Sequence, residues 1–234
     1  MTTDRLAELA DDVVRVCRRL DDRGLIAGLD GNVSVRIDEA RILVTPAGMP
    51  KGRCRAQDLV VVSLDGRRPS GSAAAAPSTE LRMHLRIYAR RADVRAIVHA
   101  HPPVATAFGV AGEGLVAPVL PEIILQLGSV PLVPYAPPGT EALADGLEPY
   151  VMQHDAFLLA NHGATTTGST LDEALQRMES VEHAARIVLA ARQLGQVRTL
   201  ASSEAAALDA VRRARRGAQP LHEGDTGADY QGNR

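Results

Sequence analysis

The chain has 234 residues, 45% of them apolar, and a formal net charge of -2, which supplies one sizeable core and no broad positive field for a nucleic-acid backbone. Cys17 and Cys54 are too few for a disulfide framework and too far apart for a thiolate metal site, so a reducing, cytoplasmic setting is expected. Met1 to Arg5 lead straight into a charged amphipathic pattern, and no apolar run approaches about 18 residues, so neither a membrane nor nucleic acid is an expected partner.

Leu6, Leu9, Val13, Val16, Cys17 and Leu20 fall at helical spacing behind an N-cap at Thr2 or Thr3, and Gly24 supplies the stop. From Gly31 the period changes to two. Val33, Val35 and Ile37 alternate with Asn32, Ser34 and Arg36, and Ile42-Leu43-Val44 returns after a polar turn, which predicts a β-hairpin. Leu59 to Val62 reads as a further strand and Gly71 to Pro77 as a small-residue loop. A helix is expected from about Ser78-Thr79-Glu80, with Leu81, His84, Ile87 and Tyr88 along one stripe. Val94 to His101 alternates as a strand that Pro102-Pro103 ends.

Further on, helices are expected over Val104 to Val110 and Glu122 to Leu127, and strands over Val130 to Pro134, Ala156 to Asn161 and Thr165 to Thr167. Thr170 and Glu173 form a capping box for the last long helix, whose stripe runs from Leu171 to Leu189 before Gly195 stops it. Residues 217–234 are polar and aperiodic, which reads as a tail, carrying Tyr230, beyond a domain of 1–216. Hairpin strands mixed with helices, without regular βαβ alternation, imply α+β or an α/β three-layer α/β/α sandwich over a largely antiparallel sheet.

His99-Ala100-His101 is the most informative segment. Two residues apart on a strand, both imidazoles project from one face and are close enough to share a metal ion. His162, at the mouth of the apolar strand Phe157 to Ala160, is the natural third ligand, and three histidines with an open fourth position make a catalytic zinc layout. The competing reading is two ordinary polar strand residues. The strand end at Pro102-Pro103 favours a site, because open sites are built where strands run into loops. His84 and His183 lie in helical stripes and read as packing or surface residues.

Taken in order, Gly31-Asn32-Val33-Ser34, Thr45-Pro46-Ala47-Gly48, Ser78-Thr79-Glu80, His99-Ala100-His101-Pro102, Pro134-Tyr135, Gly139-Thr140 and Asn161-His162-Gly163 resemble the class II aldolase and adducin-head family over about residues 5 to 195. The resemblance implies an α/β/α fold and a cyclic homotetramer with active sites between subunits. It also implies one divalent ion, expected as Zn2+, on His99, His101 and His162, and an acid/base at Glu80. The phosphate of a small sugar phosphate is implied at Gly31, Asn32, Thr45, Gly48, Ser78 and Thr79. Ser78 and Thr79 at a helix start offer hydroxyls and free N–H groups to an anion, with Lys51 a further charge nearby.

Three differences set the sequence apart from the fuculose-phosphate aldolase pattern. Leu29-Asp30 replace small hydroxyl residues and bring an acid beside the phosphate, and Ala47 removes a hydroxyl. Glu122 stands where that enzyme has a tyrosine from a neighbouring subunit; this resembles the methylthioribulose-phosphate dehydratase branch and makes Glu122 the second acid/base candidate. The expected reaction is metal-dependent cleavage of a ketose 1-phosphate to dihydroxyacetone phosphate and an aldehyde, an aldehyde-lyase activity. A 4-epimerase, dehydratase or decarboxylase of the same family is the nearest alternative, and a non-catalytic adducin-like module is the alternative from another class.

Overall fold

A computed structural model describes residues 3–68 and 75–216; most of the Gly71 to Pro77 loop and the expected tail with Tyr230 lie outside them. The alternating and apolar runs become seven strands: β1 (Asn32–Arg36), β2 (Arg41–Val44), β3 (Val60–Ser63), β4 (Ala96–Ala100), β5 (Leu132–Val133), β6 (Ala156–Leu159) and β7 (Gly163–Gly168). The helices are α1 (Thr3–Asp22), α2 (Leu81–Arg90), α3 (Pro103–Val110), α4 (Pro121–Gln126), α5 (Glu141–Gly146), α6 (Glu148–Val151), α7 (Leu171–Gln193) and α8 (Ser202–Arg216).

The strands form one sheet in the order β3-β2-β1-β4-β7-β6-β5, antiparallel throughout except for the parallel β5–β6 pair. The period-two pattern sorts its side chains. Val33, Val35, Ala96, Val98 and Leu158 face the core beneath α1, α3 and α7, whereas Ile42, Val44, Ile97, Phe157 and Leu159 face the core shared with Met83, Ile87 and Tyr88 of α2. Helices therefore cover both faces, the three-layer α/β/α arrangement expected from the sequence. The register aligns Asn32 with His99 and His99 with Thr165, so three polar side chains lie in one row across β1, β4 and β7 on the α2 side.

Three details differ from the sequence reading. The helix expected from Ser78 begins at Leu81, with Glu80 as its N-cap residue. Thr170 caps α7 by accepting from the Glu173 N–H at 3.1 Å, but the Glu173 carboxylate reaches back to the Ser169 N–H, one residue beyond the reciprocal partner of a capping box. Helix α8 was not expected, because its core is the alanine run Ala205-Ala206-Ala207, which favours helix by propensity without drawing an apolar stripe. It packs against α4, with Arg212 and Asp209 paired and buried. Among the described residues no helix is long and apolar enough to cross a membrane.

Candidate active site

His99 sits inside β4 and is fully buried, and His101 follows just past the strand end. The turn between β6 and β7 brings in His162: Asn161 adopts a left-handed φ of 55°, and the His162 N–H returns to the Leu159 carbonyl at 3.1 Å. The three ring centroids lie 4.8 to 5.1 Å apart, and the ligand atoms of the three histidines all fall within 4.8 Å of one another.

Contacts at the other ring nitrogen orient two of the imidazoles. His99 Nδ1 lies 3.0 Å from Thr165 Oγ1, whose hydroxyl also reaches Met83 Sδ, and its Nε2 lies 3.0 Å from Glu80 Oε2. His101 Nδ1 lies 3.3 Å from Asp30 Oδ2, which draws the proton to Nδ1. The Nε2 atoms of His99 and His101 face each other across 3.2 Å. Two imidazoles bonded to one tetrahedral zinc at roughly 2.0–2.1 Å would hold their nitrogens about 3.3 Å apart, so this spacing fits a shared cation. Burial, and then the charge of His99, lowers His101 and brings His162 down to about 4. Both rings are accordingly neutral near pH 7, the form that ligates.

Glu80 closes the cluster. Its side chain makes no capping bond to α2; Oε2 accepts from Asn32 Nδ2 at 2.8 Å and lies 3.0 Å from His99 Nε2, while Oε1 lies 3.2 Å from His162 Nε2. Burial pushes this carboxyl up, but His99, His162 and the Asn32 amide outweigh it and hold the group well below the ordinary carboxylate range. Buried Glu80 Oε1 and His162 Nδ1 find no hydrogen-bond partner in the chain. Three imidazoles with converging ring nitrogens, beside an unsatisfied carboxylate oxygen, are the donor set of a divalent transition-metal site.

A cleft of about 310 Å3 opens beside the cluster, bounded by Gly31, Asn32, Gly48, Ser78, Thr79 and Glu80, together with His101 and His162. Gly31 is required there: its φ is +73°, and a Cβ would meet the His99 carbonyl oxygen at 2.9 Å. Thr45 is fully buried, with its hydroxyl accepting from the Val33 N–H, and lies outside the lining. Ala47 is part of the wall, and Lys51 contributes a buried ammonium that donates to the carbonyls of Leu29 and Met49. Asp30 also lines the cleft, but its carboxylate is paired with His101. Glu122 is exposed in the first turn of α4 and is not part of this cleft.

The sequence reading took His84 for a packing or surface residue of the α2 stripe. It is fully buried beneath the cluster in a polar row with Asn32, Ser34 and Tyr88, and the signal for it was the four-residue spacing Glu80, His84, Tyr88 facing the two-residue spacing Asn32, Ser34.

The family model described as "Class II Aldolase and Adducin N-terminal domain" matches residues 11–189. The chain belongs to the class II aldolase and adducin family. Class II aldolases are metal-dependent, and this member carries a histidine cluster suited to that role. Two curated relatives carry different activities. The 3-oxo-tetronate 4-phosphate decarboxylase of Escherichia coli K12 is 34% identical over 184 residues, 77% of this chain and 85% of its own. The L-fuculose phosphate aldolase of Methanococcus maripaludis strain S2 is 33% identical over 176 residues, 75% of this chain and 93% of its own. Among solved structures, YgbL of Escherichia coli superposes with a TM-score of 0.81 at 30% identity, covering 87% of this chain and 99% of its own. This class II aldolase family member thus resembles sugar-phosphate enzymes that break carbon–carbon bonds in two ways.

Proposed function

We propose that this protein decarboxylates a 3-oxo sugar-acid phosphate of the 3-oxo-tetronate 4-phosphate type, giving carbon dioxide and dihydroxyacetone phosphate. One observation carries this reading: among the described residues Glu80 is the only carboxylate in the cleft placed to move a proton, because Asp30 is paired with His101 and Glu122 lies outside. In decarboxylation one carboxylate serves throughout, because the proton it takes from the C2 hydroxyl is the one it returns to C2, whereas in retro-aldol cleavage the proton leaves a hydroxyl of the departing fragment and the carbon left behind takes one at another position.

In this reading the substrate phosphate lies against Gly31, Gly48, Ser78 and Thr79, with the Lys51 charge nearby, as the family resemblance implies for the first four. The substrate's C3 carbonyl and C2 hydroxyl turn toward His99, His101 and His162. These imidazoles would hold a divalent cation, zinc in this proposal, which would supply Lewis-acid stabilisation of negative charge on the C3 oxygen. Glu80, ionised in the free protein, takes the C2 hydroxyl proton as the substrate binds. When the C1–C2 bond breaks and carbon dioxide departs, Glu80 returns that proton to C2, and water restores the hydroxyl on release. The reading also carries a homotetramer, as the family resemblance implies, in the cytoplasmic setting expected from the sequence.

A ketose 1-phosphate aldolase is the second reading, favoured by the exposure of Glu122, which leaves it available to the cleft of a neighbouring subunit. Metal-loaded protein is given 3-oxo-tetronate 4-phosphate and, separately, a set of ketose 1-phosphates. Equimolar carbon dioxide and dihydroxyacetone phosphate from the acid is the expected result. Aldehyde release from a ketose 1-phosphate, with no carbon dioxide from the acid, overturns the first reading in favour of the second.

A further inference from the structure

Behind Glu80, four buried side chains form a single hydrogen-bonded row. Asn32 Nδ2 donates to Glu80 Oε2 at 2.8 Å, the other side of the Asn32 amide meets His84 Nε2, His84 Nδ1 lies 2.7 Å from Ser34 Oγ, and Ser34 Oγ lies 2.9 Å from Tyr88 Oη. Asn32, Ser34, His84 and Tyr88 are each no more than 2% exposed, so water does not substitute for any partner. The row exists because two periods match: residues four apart on α2 are about 6 Å apart along its axis, and residues two apart on β1 are about 6.6 Å apart.

The negative end of the row sets the sense of every bond. A carboxylate only accepts, so Asn32 presents its NH2 to Glu80 and its Oδ1 to His84. Oδ1 only accepts, so His84 carries its proton on Nε2; Nδ1 is then bare and accepts from Ser34, which in turn accepts from Tyr88. Rotating the Asn32 amide by half a turn would set oxygen against carboxylate and NH2 against N–H, two repulsive contacts in a buried site.

We propose that His84, with its proton on Nε2, is a positioning residue that latches the Asn32 amide and through it fixes the Glu80 carboxylate against the three imidazoles. Because Oε2 already receives an N–H, a proton carried by Glu80 resides on Oε1, the oxygen without a hydrogen-bond partner in the chain. The role in turnover rests on Glu80 as the proton carrier of the proposed reaction; the latch itself does not.

Two measurements test the inference. Long-range nitrogen–proton NMR of the metal-free protein reads the His84 tautomer at neutral pH: a proton on Nε2 with bare Nδ1 is expected, and a proton on Nδ1, or on both, overturns the latch. In metal-loaded protein, His84→Leu should lower kcat about 100-fold with KM changed less than about threefold, and His84→Gln, whose amide N–H can replace Nε2–H, should recover at least about tenfold of that loss. A folded, metal-bearing His84→Leu protein with unchanged kcat overturns the proposal, as does a His84→Gln protein no better than His84→Leu. If the leucine variant does not fold, the tautomer and the glutamine variant still decide. A wild-type protein that turns over none of the substrates while showing the Nε2–H tautomer overturns the reaction assignment and leaves the latch standing.

Discussion

A Cβ placed on Gly163 would lie 2.5 Å from Cδ2 of the His101 ring and 2.5 Å from the Ala100 carbonyl oxygen. The first residue of β7 thus packs directly on a candidate ligand, and only a hydrogen fits. Gly163→Ala should displace His101 and weaken retention of the divalent ion about 10- to 100-fold, as disturbed support of a ligand does elsewhere. Competition against a chromophoric chelator measures this, and unchanged affinity would show that the ring has room to move.

His99 is held on both sides, by Thr165 at Nδ1 and by the shared space at Nε2. His99→Ala should therefore lose both bound metal and turnover. Elemental analysis of the purified variant gives the answer; a variant that keeps one ion per chain removes His99 from the ligand set.

Asp30 stands where a carboxylate would repel a phosphate, yet it is turned onto His101 Nδ1 at 3.3 Å. Removing it as Asp30→Ala leaves the ring without its orienting acceptor, and metal affinity should fall about 10- to 100-fold with the melting temperature of the metal-free protein little changed. Titration calorimetry with zinc distinguishes this from a gain in phosphate binding, the result expected if Asp30 acted only by repulsion.

Glu80→Gln keeps the shape and an oxygen for the Asn32 N–H but cannot carry a proton. Turnover should fall about 10²- to 10⁴-fold while dihydroxyacetone phosphate still binds. Single-turnover kinetics alongside product-binding titration separate the two effects, and near-normal turnover would move the proton transfer to another group.

Burial, followed by the charge of His99, brings His84 down to about 3 and His162 down to about 4, whereas an imidazole of the unfolded chain titrates near 6.5. Between those values the unfolded chain binds more protons, so their contribution to stability is complete above about pH 6.5 and declines as pH falls toward 4 and below. Melting of metal-free wild type should drop across that window, and His84→Gln should drop less. Identical slopes for the two proteins would show that His84 does not titrate on unfolding.

The strands and most helices were legible because each buries one face: period two over Asn32 to Ile37 and Val94 to His101, and helical spacing over Leu6 to Leu20 and Leu171 to Leu189. That periodicity also placed His99 and His101 on the same side of β4 as Ile97, facing α2. The order of motifs was enough to identify the family. Helix α8, and the short α5 and α6, left no comparable trace, since their alanines and brief turns carry little periodic apolar signal.

Which atoms meet was decided by packing alone. The strand register set Asn32 beside His99, the β6–β7 turn carried His162 to a pair more than sixty positions earlier, and the seating of α2 on β1 gave Asn32 to Glu80 and His84. The same packing turned Asp30 away from the role its charge alone suggested. A sequence records the face on which a side chain lies, because burial repeats with the backbone period. Hydrogen-bond partners lie within about 3 Å of one another, and that distance is set only when separate elements close against each other and exclude the water that would otherwise serve.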